Sequence, residues 1–223
     1  MSGPVMYLVD ERQAVRASTA ADEPLPVAAS RVKRAFDVVA AGVLILLFLP
    51  LLAAVATAIW LGSPGPVLFR QDRTGLGGRV FKIYKFRTMR VAENGDDVRQ
   101  ATRGDLRVTS LGRILRALSI DELPQLLNVL AGDMSLVGPR PHALAHDNAW
   151  SATIPGYRER FRARPGLTGR AQVLGFRGEV RDVAQLRGRI TADRDYIDTW
   201  TFGEDLRLLM RTIPRLFCDP AAY

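Results

Sequence analysis

The chain has 223 residues, of which 48% are hydrophobic, so it suits one moderate domain with an accessory segment and a buried core. Its net charge of +8 favours polyanionic partners, a class that includes nucleic acid, anionic lipid headgroups and phosphorylated metabolites. A lone Cys218 excludes an internal disulfide framework and a cysteine-rich zinc site. The two histidines, His142 and His146, have i, i+4 spacing, but without a further histidine nearby they do not indicate a metal centre.

The N-terminal residues 1–30 combine small, charged and proline residues without a sustained hydrophobic period. Such a composition predicts a mobile tail. The stretch also lacks the basic start and the apolar run that mark a secretory signal peptide.

An uncharged, strongly apolar segment extends from Val38 to Leu61. As a helix it would be about 36 Å long at roughly 1.5 Å per residue, enough to cross a bilayer. A soluble core helix is disfavoured, because a helix of this length normally keeps a polar face. Pro50 lies near the middle, where a proline removes a helical hydrogen bond and clashes with the preceding turn, so we expect a sharp bend there.

Basic residues on both sides of this segment indicate its topology. The positive-inside rule places both flanks in the cytoplasm, which a helical hairpin bent at Pro50 satisfies and a straight span does not. A conventional span stays open, because proline also occurs in spanning helices. We therefore predict a re-entrant membrane helix, of helix-break-helix form, over residues 31–62. The flanking cations are Arg31, Lys33 and Arg34 on one side, and Arg70, Arg73, Arg79, Lys82, Lys85, Arg87 and Arg90 on the other.

Residues 63–223 predict a compact cytoplasmic domain of the α/β class, mostly helical with a small β-hairpin. Val67–Arg70 and Val80–Phe86 have the residue types of short strands, and the glycines of 75–78 would form the turn between them. Alternation in the second strand separates Lys82 and Tyr84 from the opposite face, which carries Phe81, Ile83 and Lys85.

Helical patterns recur over residues 111–118, 123–130 and 190–217. Between the hairpin and the first of these helices, the polar stretch 93–105 predicts a surface loop or a weak helix.

The stretch from Arg113 to Asn128 contains the strongest candidate for catalysis. Pro124 is tolerated only in a first helical turn, so a helix should begin close to Asp121. In one interpretation Ser119 or Asp121 caps this helix and Glu122 complements its dipole. Four residues would form the buried stripe of the helix, namely Leu123, Leu126, Leu127 and Leu130.

The same residues also suit covalent phosphoryl transfer, because a helix N-terminus attracts phosphate through its free N–H groups. Asp121 could attack phosphorus, with Glu122 beside it and Arg116 about one turn away to stabilise the developing charge. A carboxylate that approaches an anion unaided would be repelled. We therefore expect Mg²⁺, held by oxygen ligands such as Glu122 and the phosphates themselves.

A second candidate site lies in Gly132–Pro141, where prolines on both sides of Arg140 could hold its guanidinium for a bidentate grip on phosphate. A rigid turn with an exposed arginine explains the spacing equally well. Lys85 and Arg87 add cations close to the apolar segment, and attraction to anionic membrane lipids is the alternative reading of their charge.

A third candidate is Arg164–Val173, followed by Gly175–Glu179. Its glycines permit close approach to a ligand, although a tight turn would use them equally. The candidate residues for binding a nucleotide sugar are Thr168, Gly169, Gln172 and Arg177.

Several long stretches, in the same order, resemble the bacterial sugar transferases that prime glycan synthesis, the monotopic polyprenyl-phosphate phosphoglycosyl transferases. They cover roughly residues 31–217 and include KRAFDVVAAG, the apolar segment, GSPGPVLFRQDRTGLGGRVFKIYKFRTM, LGRILRALSIDELPQLLNVLAGDMSLVGPRP and RPGLTGRAQV. The resemblance implies a re-entrant membrane helix, an Asp-Glu dyad, a magnesium cofactor and a phosphosugar-aspartate intermediate. Where many members have serine before the kink proline, this chain has Leu49, which changes the local hydrogen bonding expected at the bend.

By this resemblance, Asp121 is the nucleophile on the sugar-bearing phosphate of a UDP-sugar and releases UMP, while Glu122 helps to hold the metal. Phosphates would be bound by Arg116 and Arg140, with Lys85 and Arg87 as further candidates. Undecaprenyl phosphate would be the acceptor, at the cytoplasmic face of the bacterial inner membrane. The stretch QVLGFRGE resembles the subgroup that transfers glucose or galactose 1-phosphate for exopolysaccharide, and we favour glucose. The oligomeric state, with a homodimer among the alternatives, stays open.

Two other functional classes are weaker. A single-span membrane protein with a basic, non-catalytic partner-binding domain explains the charge but leaves the DELPQ and GPRP sequences without a role. A membrane-tethered nucleic-acid binder lacks a groove-reading motif and an aromatic stacking platform, so no nucleic-acid partner is expected.

Overall fold

The computed structural model describes residues 25–90, 102, 104–178, 180 and 182–217. These residues form helices, strands and three short 3₁₀ turns, the latter at Leu76–Gly78, Ile120–Glu122 and Tyr157–Arg162. The α-helices are α1 (Pro26–Ala29), α2 (Arg31–Gly62), α3 (Ser110–Ala117), α4 (Gln125–Ala131), α5 (Leu144–Thr153), α6 (Arg170–Val173), α7 (Val183–Asp198) and α8 (Phe202–Phe217). The strands are β1 (Leu68–Thr74), β2 (Val80–Phe86), β3 (Ser135–Val137) and β4 (Gly166–Thr168).

Helix α2 contains the apolar segment and is the one helix in the described part of the chain that is long and apolar enough to cross a membrane. Only 11% of its most apolar window is buried, so most of this window is not packed against the rest of the described protein. Ser30 caps its start by accepting a hydrogen bond from the Lys33 amide. Pro50 lies inside a helix that continues to Gly62, so the expected break does not interrupt the helix. The re-entrant topology stays a prediction.

One stripe of α2 faces the rest of the protein at both ends of the helix. Ala41 packs into the main core, whereas Val55 and Ile59 join a second cluster with Phe86 and Leu115. The outward face carries exposed apolar side chains, which are Val38, Val39, Val43, Leu46, Leu47, Leu49, Leu51, Trp60 and Leu61.

The predicted hairpin is confirmed, because β1 and β2 pair antiparallel with Gln71 opposite Ile83. Its first strand is longer than predicted and reaches Thr74. Phe81 and Ile83 are buried, as the alternation predicted.

Helix α4 packs between α2 and β2, with a buried face that differs from the predicted leucine stripe. Leu126 is 1% exposed as expected, but Leu127 is 45% and Leu130 37% exposed, so the prediction for these two was wrong. Asn128 occupies the inner face instead, where its side chain accepts from the Tyr84 amide and donates to the Lys82 carbonyl. A polar side chain is favoured over another leucine at this position, because buried N–H and C=O groups of the β2 backbone need hydrogen-bond partners.

The C-terminal region contains two helices where the sequence predicted one over 190–217. The hydroxyl of Thr199 donates to the carbonyl of Asp195 at the end of α7, and that of Thr201 accepts from the amide of Glu204 at the start of α8. These side-chain bonds compete with helix continuation and explain the break. Between the hairpin and α7, β3 and β4 form a parallel pair that the sequence did not predict.

The boundary of the predicted tail was also wrong. Residues 25–30 are part of the fold, since Val27 is 3% exposed in the main core and Arg164 donates to the Ala28 carbonyl. Residues 1–24, and most of the predicted loop 93–105, lie outside the described residues.

Candidate active site

A tight turn between α3 and α4 carries the carboxylate pair. Ser119 has a left-handed backbone, with a φ of 57°, and redirects the chain into the 3₁₀ turn that holds Asp121 and Glu122. Both carboxylates are 8% exposed. Pro124 then precedes the first residue of α4, so the α-helix begins one short turn later than predicted, and the predicted capping role of Ser119 is wrong because its side chain caps no helix.

Glu122 is held between two cations. Its Oε1 lies 2.7 Å from Lys85 Nζ and 2.5 Å from Arg140 Nη2, and its Oε2 accepts from Arg140 Nη1 at 3.1 Å. Burial alone would raise the pKa of Glu122, but Arg140 and Lys85 outweigh it and hold the pKa well below its ordinary value. The two cations therefore favour the ionised form of Glu122, and Glu122 in turn holds Lys85 and Arg140 in place.

The pKa of Asp121 is shifted in the opposite direction. Burial and the neighbouring Glu122 charge raise the pKa of Asp121 to about 6, against the lowering influence of Lys85, Arg116 and Arg140. Burial also disfavours the charged form of Lys85 and so lowers the pKa of that ammonium group. A partly desolvated carboxylate that is easily protonated is a stronger nucleophile than an exposed one, which is the property that attack on phosphorus needs.

The structure brings two further predicted arginines next to this pair. Arg116, in the last turn of α3, is close enough for its charge to lower the pKa of Asp121. Arg177 donates from Nη2 to the Ser119 hydroxyl at 2.7 Å, and its charge lowers the pKa of Glu122.

Arg87 is placed at a different location. Its guanidinium donates to the carbonyls of Ser63 and Pro64 at 2.7 and 2.6 Å, just after the C-terminus of α2. It also donates to the carbonyl of Ile59 at 3.4 Å, in the last turn of α2, where a helix leaves carbonyls without partners of its own. Arg87 thus links the end of α2 to the end of β2, and its predicted binding of phosphate stays a prediction.

Of the predicted nucleotide-sugar residues, Thr168 and Gly169 contact the loop that carries Arg140, and Gln172 bonds next to them. The Thr168 carbonyl accepts from the Gly138 amide, while the Thr168 hydroxyl bonds with that of Thr212. A side chain at Gly169 would lie 2.1 Å from the Gly138 carbonyl oxygen, so the two loops touch backbone to backbone. The Gln172 amide donates to the Leu167 carbonyl within its own loop.

Two arginines that contact this loop, the buried Arg160 and the half-buried Arg73, were missed by the sequence analysis as site residues. Arg160 donates from Nη2 to the Arg140 carbonyl at 2.6 Å, and its Nε is 2.7 Å from Asp193. Arg73 donates to the Pro141 carbonyl, and burial together with the Arg140 charge lowers its pKa to about 10. Nothing in the local sequence distinguishes these arginines from surface cations, because their partners are distant in the chain.

His142 and His146, which have i, i+4 spacing in the sequence, have different partners in the structure. His142 precedes α5 and its ring lies between Arg160 and Arg189, at 2.9 and 3.1 Å, where burial and those two charges hold its pKa well below the ordinary value. His146 instead stacks on Trp150.

The carboxylate pair can hold Mg²⁺ only with help from substrate. Among the described residues no group of three or more potential metal-ligating side chains occurs, and Glu122 already engages both oxygens. Magnesium is commonly bound by one or two carboxylates together with phosphate oxygens and water, and Asp121 with Glu122 fits that pattern.

Comparison with known protein families matches residues 28–219 to the family described as bacterial sugar transferase. The chain belongs to the bacterial sugar transferase family. This confirms the family resemblance that the DELPQ, GPRP and RPGLTG stretches indicated.

Among relatives of this sugar transferase, a UDP-glucose:undecaprenyl-phosphate glucose-1-phosphate transferase of Caulobacter vibrioides is 62% identical over 201 residues, or 90% of this chain and 75% of that protein. A protein of the same name from Escherichia coli K12 is 46% identical over 91% of this chain and 44% of its own length. A UDP-N-acetylgalactosamine-undecaprenyl-phosphate N-acetylgalactosaminephosphotransferase of Aeromonas hydrophila is 44% identical over 82% of this chain and 43% of that protein. The chain thus spans less than half the length of the last two.

Proposed function

We propose that the protein transfers a hexose 1-phosphate from a UDP-sugar to undecaprenyl phosphate and releases UMP, as the priming step of exopolysaccharide or a related glycan. The observation that carries the proposal is the buried Asp121 carboxylate, with its pKa raised to about 6, beside a Glu122 anion that is clamped by Lys85 and Arg140. The names of the Caulobacter and Escherichia relatives support the donor and the acceptor.

In the first step, a carboxylate oxygen of Asp121 attacks the sugar-bearing phosphorus of the UDP-sugar. The bond from that phosphorus to the bridging oxygen breaks, and its electron pair leaves with UMP. The product is an acyl phosphate that joins Asp121 to the sugar phosphate, which splits one difficult transfer into two easier ones.

In the second step, an anionic oxygen of undecaprenyl phosphate attacks the same phosphorus. The acyl phosphate bond breaks, Asp121 regains its charge, and the sugar leaves on a polyprenyl diphosphate. The lipid phosphate is already ionised near neutral pH, so this step needs no general base.

The cations around the pair would stabilise the charge that develops on the transferred phosphoryl group. Arg140, which Glu122 holds through both terminal nitrogens, would bring its delocalised positive charge close to the transferred phosphoryl group, and Arg116 and Lys85 add charge on the Asp121 side. A magnesium ion held by Asp121, Glu122 and the pyrophosphate would neutralise further charge when bound.

Glucose is the proposed sugar, because the relatives with the highest identities quoted above carry that name. The Aeromonas relative makes an N-acetylhexosamine the alternative, and galactose is a third candidate. A panel of UDP-sugars with purified protein, undecaprenyl phosphate and magnesium would decide among them by the rate of UMP release. No release with any of them would favour a non-catalytic membrane protein instead.

The nucleophile has its own test. Asp121→Asn should abolish UMP release, whereas brief incubation of the unaltered protein with a radiolabelled UDP-sugar alone should leave label on the peptide that contains Asp121. Transfer at an undiminished rate by Asp121→Asn would exclude this mechanism.

We also propose that α2 enters the membrane from the cytoplasmic face of the inner membrane and returns to it. Both ends of the helix contact the same polar body, at Lys33 through Asp205 and at Ile59 through Phe86. A helix that crossed the bilayer would draw that body into the hydrocarbon, where its polar groups could not be satisfied. In a Cys218→Ser background, labelling of single cysteines introduced at residues 35 and 62 should modify both from the cytoplasmic side, and labelling from opposite sides would contradict the proposal.

A further inference from the structure

The first turns of α2 carry two charged side chains that are buried in the catalytic domain. Lys33 Nζ lies 2.6 Å from Asp205 Oδ2 and donates to the Val137 carbonyl at 3.0 Å. The side chains of this ion pair are only 6% and 2% exposed. Tyr196 completes the contact, because its hydroxyl donates to Asp205 Oδ1 at 2.7 Å and lies 3.1 Å from the same Val137 carbonyl.

Asp37, one helical turn later, reaches the same strand. Its Oδ1 accepts from the Leu136 amide at 3.0 Å, and its Oδ2 accepts from the Ser135 hydroxyl at 2.8 Å. Together, Lys33 and Asp37 hold each residue of β3, which lies about a hundred positions away in the chain.

Strand β3 leads directly into the loop that carries Arg140. Only Gly138 and Pro139 separate Val137 from Arg140, and Gly138 is itself fixed by contact with Thr168. With so short and restricted a connection, the position of β3 determines where the Arg140 guanidinium lies relative to Glu122.

A buried ion pair is poor evidence for stability alone, because desolvation of the two charges offsets much of their attraction. A role in orienting β3 agrees better with the geometry, because both charged side chains form hydrogen bonds with backbone groups of that strand. We infer that Lys33 and Asp37 of the membrane helix are positioning residues for Arg140, so that the anchor also orients the phosphate-binding loop. This inference rests on the proposed function for its activity readout.

The test uses the full chain in lipid nanodiscs, with UDP-glucose, magnesium and undecaprenyl phosphate. Lys33→Met and Asp37→Ala should each lower kcat at least tenfold, while KM for UDP-glucose changes less than threefold, because Arg140 would act mainly on the charge that develops in the transition state. Asp37→Asn should recover most of the lost kcat, since an amide oxygen can still accept from the Leu136 N–H. The double variant Lys33→Met with Asp205→Asn should be no worse than Lys33→Met alone, because the two side chains act through one contact.

The matched control is the exposed pair of Lys82 and Asp72, whose side chains are 59% and 29% exposed at a separation of 2.9 Å. Lys82→Met should leave kcat within twofold, because it removes the same charge without a link to β3.

A second readout does not depend on activity. Hydrogen exchange of the peptide over Ser135–Val137 should be at least tenfold faster in Asp37→Ala than in the unaltered protein, and unchanged in Lys82→Met. A kcat within twofold of the unaltered protein for Lys33→Met and Asp37→Ala, or unchanged exchange in β3, would overturn the inference. If the unaltered protein transfers no sugar, the proposed function fails, and the exchange measurement alone still decides whether α2 fixes β3.

Discussion

Arg140 places both terminal nitrogens of its guanidinium on the Glu122 carboxylate, at 2.5 Å from one oxygen and 3.1 Å from the other. The Arg160 side chain donates a hydrogen bond to the Arg140 carbonyl. Lys85, on β2, donates to the Glu122 oxygen that Arg140 Nη2 also contacts. The Arg140 guanidinium is therefore oriented before any phosphate binds. Little rearrangement of its side chain would be needed for its charge to act on a transferred phosphoryl group.

Arg140→Lys should lower kcat about 10²-fold, because a lysine keeps the charge but cannot make two parallel hydrogen bonds. The rate of UMP release from UDP-glucose measures the effect. Arg158→Lys is the matched control, since Arg158 is exposed on the surface, and it should be neutral. A loss of less than threefold in Arg140→Lys would mean that a single positive charge is sufficient there.

The rate should rise with pH through about 6, because Asp121 attacks only when ionised and its pKa lies at about 6. Lys85 lowers that pKa, so Lys85→Met should move the inflection in kcat/KM to higher pH as well as reduce the plateau. A pH series of initial rates over 4.5–8.5 checks both. An inflection that stays in place in Lys85→Met would show that another group controls the profile.

The same shift predicts that the nucleophile destabilises the fold. The folded-state pKa of Asp121 is about 6, above the ordinary value of 3.8, so the folded protein disfavours the ionised form. The cost is absent well below pH 3.8 and fully present above pH 6. Asp121→Asn should therefore raise the free energy of unfolding by about 1–3 kcal/mol at pH 7.5, at roughly 1.36 kcal/mol per pKa unit. Thermal unfolding in detergent at pH 7.5 and 4 should show the gain shrinking as the pH falls; an equal gain at both would refute the electrostatic cause.

The sequence predicted those parts of the site that are local in the chain. Pro124 indicated a helix start close to the carboxylates, although α4 begins one short turn later, and the alternation in β2 put Lys85 on the face of Phe81 and Ile83, where it meets Glu122. Contacts between residues that are far apart in the chain were not predicted. Lys33 is one of several basic residues before the apolar segment, and the sequence indicated only topology for them, whereas its partner Asp205 lies 172 positions away.

The contacts of Arg87 were also not foreseen from the sequence. Its position in the basic stretch after the apolar segment favoured phosphate or lipid, but the fold brings it to the open carbonyls at the end of α2. Charge alone does not distinguish an anion from a helix C-terminus, because both attract a guanidinium. The face of α4 was mistaken for a related reason, since the pairing of Asn128 with the β2 backbone is invisible in a hydrophobic pattern.

Gly166 should be indispensable for the geometry of the Arg140 loop. A methyl group there would lie 2.1 Å from the Gly138 amide nitrogen and 2.4 Å from the Thr168 carbonyl oxygen, both of them backbone atoms that cannot move aside cheaply. Gly166→Ala should therefore separate β4 from the loop, lower the melting temperature and reduce kcat at least tenfold. Gly203→Ala supplies the control, because a methyl group at Gly203 would be 4.0 Å from its nearest neighbour, the Thr201 hydroxyl, and should leave both quantities unchanged. Kinetics and thermal unfolding on the two alanine variants test this together. Full activity in Gly166→Ala would show that the loop tolerates displacement from β4, and that Arg140 is held by Arg160 and Glu122 alone.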